Sequence, residues 1–210
     1  MTVIRTWTLA RIVLALAMLG AVGWLMADGL ADGDFVWWNF FNFFTIQTNL
    51  IGVATLAIAA RFTGRERPAW VEWLRLSATT YLVIVAIVYW VLLFPEAGPP
   101  DNPIADYTLH AVSAVAIAAD WLVEGPRRRL AFTRVWVVLL YPAAWIAMAL
   151  IRGATDGWVP YFFLDPANGY ASIVVTIVMI LLAGLVLAAV LFLATRWRAL
   201  GPDAGTNISR

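Results

Sequence analysis

The chain has 210 residues, 63% of them hydrophobic and only 13% charged, with a formal net charge of +1. A soluble domain of this size could not hide so much apolar side chain, whereas a bilayer accepts it, and the near-neutral charge leaves no footprint for nucleic acid. There is no Cys and no Lys, and His occurs once, which excludes disulfides, thiolate or multi-imidazole metal sites, bis-His haem and Schiff-base cofactors, so no metal or cofactor is expected.

The expected fold class is all-α: a polytopic membrane domain over residues 1–200 with six transmembrane helices and both termini in the cytoplasm. The first apolar run, 7–27, is interrupted by Arg11, close enough to its start to snorkel toward the interface. Its length argues for a retained helix rather than a cleaved signal peptide. The second run, 35–60, stops at Arg61, and RFTGRERPAWVEWLR reads as a basic, Trp-bearing interfacial loop. The third, 76–94, is closed by Pro95, and EAGPPDNP, acidic and Pro-rich, follows as an outer loop. The fourth spans 105–123 and ends at EGPRRR; the fifth, 134–151, contains Pro142, which predicts a kink. The sixth is 170–195, and 201–210 reads as a disordered cytoplasmic tail.

Placing the N-terminus inside puts Arg5, Arg11, Arg61, Arg65, Arg67, Arg75, Arg127, Arg128, Arg129, Arg134, Arg196, Arg198 and Arg210 on the cytoplasmic side and only Arg152 outside. That bias orients helices during insertion. The two halves show no matching pattern of Pro, Gly or polar residues, which weakens an inverted-repeat transporter reading.

Polar groups in a bilayer are costly unless paired, so their clustering is informative. The second helix carries NFFNFFTIQTNL, with Asn42, Thr45 and Asn49 at i, i+3 and i+7 on one face. In the fourth, Asp106, His110 and Ser113 at i, i+4 and i+7 share a face. A little helix tilt brings Thr45 and His110 to a similar depth in the outer half of the membrane. The connection VPYFFLDPANGY, rich in turn residues and aromatics, suits a lid-like loop whose Asp165 and Tyr161 reach toward the same region. Tyr81, Tyr89, Tyr141 and Trp145 supply bulky walls.

Plainer readings compete. A Thr in a membrane helix usually donates back to the carbonyl one turn earlier, and Asn or Gln commonly serves as interhelical glue. A packed, hydrogen-bonded His110 competes with a catalytic one, and Asp106 reads as a helix N-cap. Asp120 and Glu124 read as interface charges beside the Arg run.

FFTIQTNL in the second helix, the lone His in the fourth and YFFLDP before the last resemble the androgen-induced family of integral-membrane threonine hydrolases and its bacterial six-helix relatives. The resemblance implies hydrolysis of fatty acid esters of hydroxy fatty acids at a bacterial plasma membrane, with Thr45 as nucleophile and His110 as base. Gln47, Thr48 and Asn49 make the stretch more polar than in the animal members, and Thr48 becomes a rival nucleophile. Asn42 or Asn49 would donate to the oxyanion, and Asp106 or Asp165 would orient the imidazole. The substrate is then a fatty-acyl lipid entering from the bilayer; a lipid-binding protein without turnover and a small-molecule transporter are the alternatives.

Overall fold

The computed structural model describes residues 2–33, 35–126 and 130–194, and everything described is helix, turn or loop, without strands. The Arg127–Arg129 run and the tail from 195 onward lie outside the described residues. Six helical rods run up and down in chain order. The first is α1, Thr2–Asp32. The second is α2, Trp37–Asn42, followed by α3, Phe44–Arg61. In the third, α4, Ala69–Val88, passes through a π turn at Tyr89–Leu93 into α5, Phe94–Ala97. The fourth is α6, Pro103–Tyr107, a π turn at Thr108–Val112, and α7, Ser113–Val123. A 3₁₀ stretch, Phe132–Leu139, leads into α8, Leu140–Thr155, and the last rod is α9, Tyr170–Ala194. Four of these are long and apolar enough to cross a membrane: the first, the third, the fifth and the last. The second and fourth fall short because they carry the polar residues.

Several boundaries differ from the sequence reading, each for a local reason. The second rod is broken at Phe43, whose ψ of 129° is extended. The break separates Asn42 from the helix that carries Thr45 and Asn49, so the three do not share one continuous face. The third rod begins seven residues early, at Ala69, and absorbs half of the expected loop. Pro95 does not end it. Pro lacks an N–H and its ring crowds the carbonyl four residues back, and that residue, Val91, lies in the π turn that absorbs the misfit. Pro142 acts similarly: the residue four back, Val138, ends in a tight 3₁₀ stretch instead of a simple kink.

The centre is close-packed. Ala15 and Met18 of α1, Leu56 of α3, Ala78 and Leu82 of α4, and Ala114 and Ile117 of α7 form one buried cluster. Gly52 lets it close, because a Cβ there would sit 2.8 Å from Met18 Cε and 2.9 Å from Leu82 Cδ1.

At the end of the bundle where α1 begins, six charges are buried. Arg11 pairs with Asp120 (2.6 Å) and with Glu124; Arg75 pairs with Asp120 (2.8 Å) and Glu72 (3.0 Å); Arg67 pairs with Glu72 (3.0 Å) and Glu124 (3.3 Å). The pairs close into a ring of alternating sign that joins α1, the loop before α4, α4 and the end of α7. Arg11 is 2% exposed and Asp120 and Glu124 are each 7% exposed, so Arg11 does not snorkel and the two acids are not interface charges. Three cations and three anions cancel, which is what allows such a group to be buried.

Candidate active site

Toward the opposite end, α3 starts afresh after the Phe43 break, so Thr45 occupies its first turn, where N–H groups have no intrahelical carbonyl. The Thr45 N–H donates to the Tyr161 hydroxyl at 3.3 Å. The Thr45 hydroxyl has His110 Nε2 at 3.2 Å and the Tyr161 hydroxyl at 3.5 Å. Thr45 is 7% exposed and His110 8%.

The environment of the imidazole assigns its proton. Nδ1 faces the Asp106 carbonyl at 3.0 Å and the Asp106 carboxylate at 3.3 Å, both of which can only accept. Nδ1 therefore carries a hydrogen, and in the neutral imidazole Nε2 presents a lone pair to the Thr45 hydroxyl. With that hydrogen directed at His110, the Tyr161 O–H is the donor in its contact with Thr45 Oγ1. Burial pushes the Tyr161 phenol up, against a smaller opposing effect of its hydrogen bonds with Thr45, so it stays a protonated donor.

Two π turns hold the ring in place. Tyr89 opens one and His110 sits in the other, and their rings stack with centroids 3.9 Å apart and planes 15° apart. Widened turns of this kind recur at functional sites, where they re-aim a side chain. The Tyr89 contact was missed in the sequence, where Tyr89 read only as a wall; nothing in the spacing marks it.

Thr45 also forms part of the wall of a cavity of about 770 Å³, mouth included, bounded by α4, the fifth rod, α9 and the loop before α9. Apart from Thr45, Thr80 and the Tyr hydroxyls its lining is apolar, with Trp145 and Tyr161 close to Thr45. His110 is not among the lining residues and meets this wall at the Thr45 hydroxyl.

The other expected residues are distributed differently. Thr48 donates to the carbonyls of Phe44 (2.8 Å) and Thr45 (3.3 Å), whereas the His110 contact is made by Thr45. Asn49 spends its amide on the Thr45 and Leu109 carbonyls, at 2.9 and 3.2 Å, so it is interhelical glue rather than an oxyanion donor. Asn42 contributes its carbonyl, which accepts from the Trp145 indole at 3.0 Å. Asp165 caps its own turn by accepting from Ala167 N–H at 2.8 Å and does not orient the imidazole. The N-cap of α6 is Asn102, which accepts from Ala105 N–H, leaving Asp106 for His110. Ser113, on the expected face, donates to the Leu109 carbonyl and takes no part. No cluster of potential metal ligands occurs among the described residues.

The loop before α9 packs, as its aromatics predicted: Leu164 is buried, and Tyr161 stacks on Phe163 with centroids 5.3 Å apart. No family model matches this chain, and neither a curated protein nor a solved structure does.

Proposed function

We propose that this chain is a six-span integral membrane protein with cytoplasmic termini that hydrolyses fatty-acyl esters, using Thr45 as nucleophile and His110 as general base. The topology is supported by the Arg distribution and by two belts of exposed Trp, Trp37 and Trp38 near one end and Trp70 and Trp136 near the other. The exposed faces of α1 and α9 carry Leu16, Leu19, Val178, Leu182 and Val186, a surface suited to lipid.

One observation carries the chemistry: a hydroxyl within hydrogen-bond distance, 3.2 Å, of Nε2 of the sole imidazole, at the wall of an apolar cavity. As Thr45 Oγ attacks the ester carbonyl, its proton passes to His110 Nε2, and Asp106 holds the Nδ1–H of the imidazolium that results. The oxyanion forms beside the first turn of α3 and the Tyr161 hydroxyl, so the positive end of the helix and a fixed donor stabilise it. Nε2 then gives its proton to the departing alkoxide, leaving an acyl-Thr45 ester. A water, deprotonated by Nε2, attacks that ester; the acid leaves and Thr45 regains its hydrogen. The resemblance of FFTIQTNL and YFFLDP to the androgen-induced family supports the same pair.

The test is hydrolysis of p-nitrophenyl acyl esters by the purified protein, with fluorophosphonate labelling in parallel. Thr45→Ala should lose labelling altogether, and both Thr45→Ala and His110→Ala should lower turnover by about 10³-fold or more. Undiminished labelling in Thr45→Ala rules this mechanism out. A lipid-binding protein without turnover would use the same apolar cavity; it predicts the same copurifying lipid in wild type and Thr45→Ala and no hydrolysis in either.

A further inference from the structure

We propose that the cavity is a blind acyl-chain channel leading from Thr45 toward the middle of the bundle, and that Gly184 sets the length of chain it accepts. The proposal rests on the ester-hydrolase reading and deepens it by naming the arm of the substrate that is buried.

Three observations converge. The first is the chemistry of the far end. Beyond Thr45 the lining includes Ile84, Val138, Leu139, Leu181 and Gly184, together with Thr80 and Tyr81. The Thr80 hydroxyl is committed to the Leu76 carbonyl at 2.8 Å and the Tyr81 hydroxyl pairs with Ser77, so both hydroxyls at this end are already engaged. A polar alcohol would gain nothing there, whereas a hydrocarbon chain would be fully desolvated.

The second is closure. α9 packs closely on α4 and on the 3₁₀ stretch Phe132–Leu139, which seals the inner end. Past Leu139 the α8 and α9 backbones draw apart, and Trp145 and Ala149 join Ile173 through the buried cluster they share with Leu164. In this proposal the mouth lies laterally, between these two rods and nearer Thr45. During turnover the alcohol must leave and water must enter while the acyl group stays attached to Thr45. The arm remote from the opening suits the part that stays.

The third is Gly184 itself. Glycine is disfavoured in a helix interior relative to alanine, so an interior Gly needs a reason. Close packing does not supply one: a Cβ at Gly184 would meet only Ile84 Cγ1, at an ordinary 3.8 Å. What the missing side chain leaves is space in the cavity. Gly184 lies two turns beyond Ile177, a residue that also lines the cavity, which is roughly 10 Å along α9, about the span of an eight-carbon chain.

The experiment measures kcat/KM of the full-length protein on p-nitrophenyl esters from acetyl to palmitoyl. Wild type should improve up to an acyl length of about eight carbons, by about fourfold per methylene buried. Gly184→Leu should lower octanoyl turnover by about tenfold or more while acetyl turnover stays within about threefold. Gly184→Ala should fall between wild type and Gly184→Leu, lowering octanoyl turnover by about fourfold or less. Ile84→Ala, which enlarges the same end, should move the optimum to longer chains, and it decides the matter alone if Gly184→Leu does not fold. Hydrolysis with parallel chain-length profiles in wild type, Gly184→Leu and Ile84→Ala overturns the ruler and leaves the hydrolase standing. If wild type hydrolyses no ester, the hydrolase reading falls and the ruler with it.

Discussion

Two clusters of buried polar groups among the described residues are built on opposite rules. The ring of Arg11, Asp120, Arg75, Glu72, Arg67 and Glu124 is closed: every charge meets two of opposite sign, and the net charge is zero. The site at Thr45, His110, Asp106 and Tyr161 is neutral at its reactive end and open on one side, because its hydroxyl faces an apolar cavity. A closed set of charges can do little except hold helices together, since any group drawn away leaves a partner buried and uncompensated. An open set can accept a new bond. Burial of polar atoms alone therefore does not mark a site; burial beside a void does.

The comparison breaks most readily through activity. Removing the imidazole in His110→Ala should reduce ester turnover by about 10³-fold or more, equivalent to about 4 kcal/mol of barrier, yet shift the thermal midpoint little. A large loss of stability there would mean that His110 is a structural member like the ring. Asp120→Ala should behave in the opposite way. It strips Arg11 and Arg75 of a shared carboxylate, so unfolding should become easier by about 3–5 kcal/mol, measured by denaturant titration in detergent. Whatever folded protein remains should keep its turnover per molecule.

The two regions were unequally legible. Thr45 and His110 could be read because each is polar in an apolar rod, and helical spacing fixed the depth of both. The Phe43 break was invisible, since Phe-Phe carries no turn chemistry; so the grouping of Asn42 with Thr45 failed. The ring was hidden differently. Arg11 and Asp120 each sit near the end of an apolar run, where snorkelling is the usual outcome, and only tertiary packing reveals that three such ends meet. A hint was present in the i, i+4 spacing of Asp120 and Glu124 and the i, i+3 spacing of Glu72 and Arg75, which puts two acids and an acid–base pair on single faces. The π turns at Tyr89 and His110 have no sequence signal apart from Pro95.

Smaller effects sharpen the contrast. Tyr161→Phe removes the hydroxyl beside Thr45 and leaves the ring packing, so kcat should fall by about 10- to 100-fold with KM nearly constant, the signature of a contact made mainly in the transition state. Acid should act on the ring. Burial alone would raise the Glu124 carboxyl, but Arg11, Arg67 and Arg75 outweigh it and hold Glu124 below the usual carboxylate range. A carboxyl depressed in the folded state stabilises it above the unfolded pKa of about 4.3, and that contribution is lost as pH falls through the folded value. The thermal midpoint should thus drop below about pH 4, and Glu124→Gln should be less stable at neutral pH and flatter in acid.

The smallest effect belongs to Thr48, and it discriminates because Thr48 resembles Thr45 so closely. The two are one turn apart on α3, both buried, and chemically identical. They differ in what meets the hydroxyl: carbonyls of the same helix for Thr48, the imidazole and the cavity for Thr45. A Thr that donates back to its own helix adds little, because the carbonyl it reaches is already engaged in the helix. Thr48→Val keeps the branched shape and should change stability by less than about 1 kcal/mol and turnover by less than about threefold. If instead Thr48→Val abolished labelling by a fluorophosphonate while Thr45→Val kept it, the nucleophile would lie one turn deeper than the geometry of His110 allows, and α3 would have to rotate during turnover to present it.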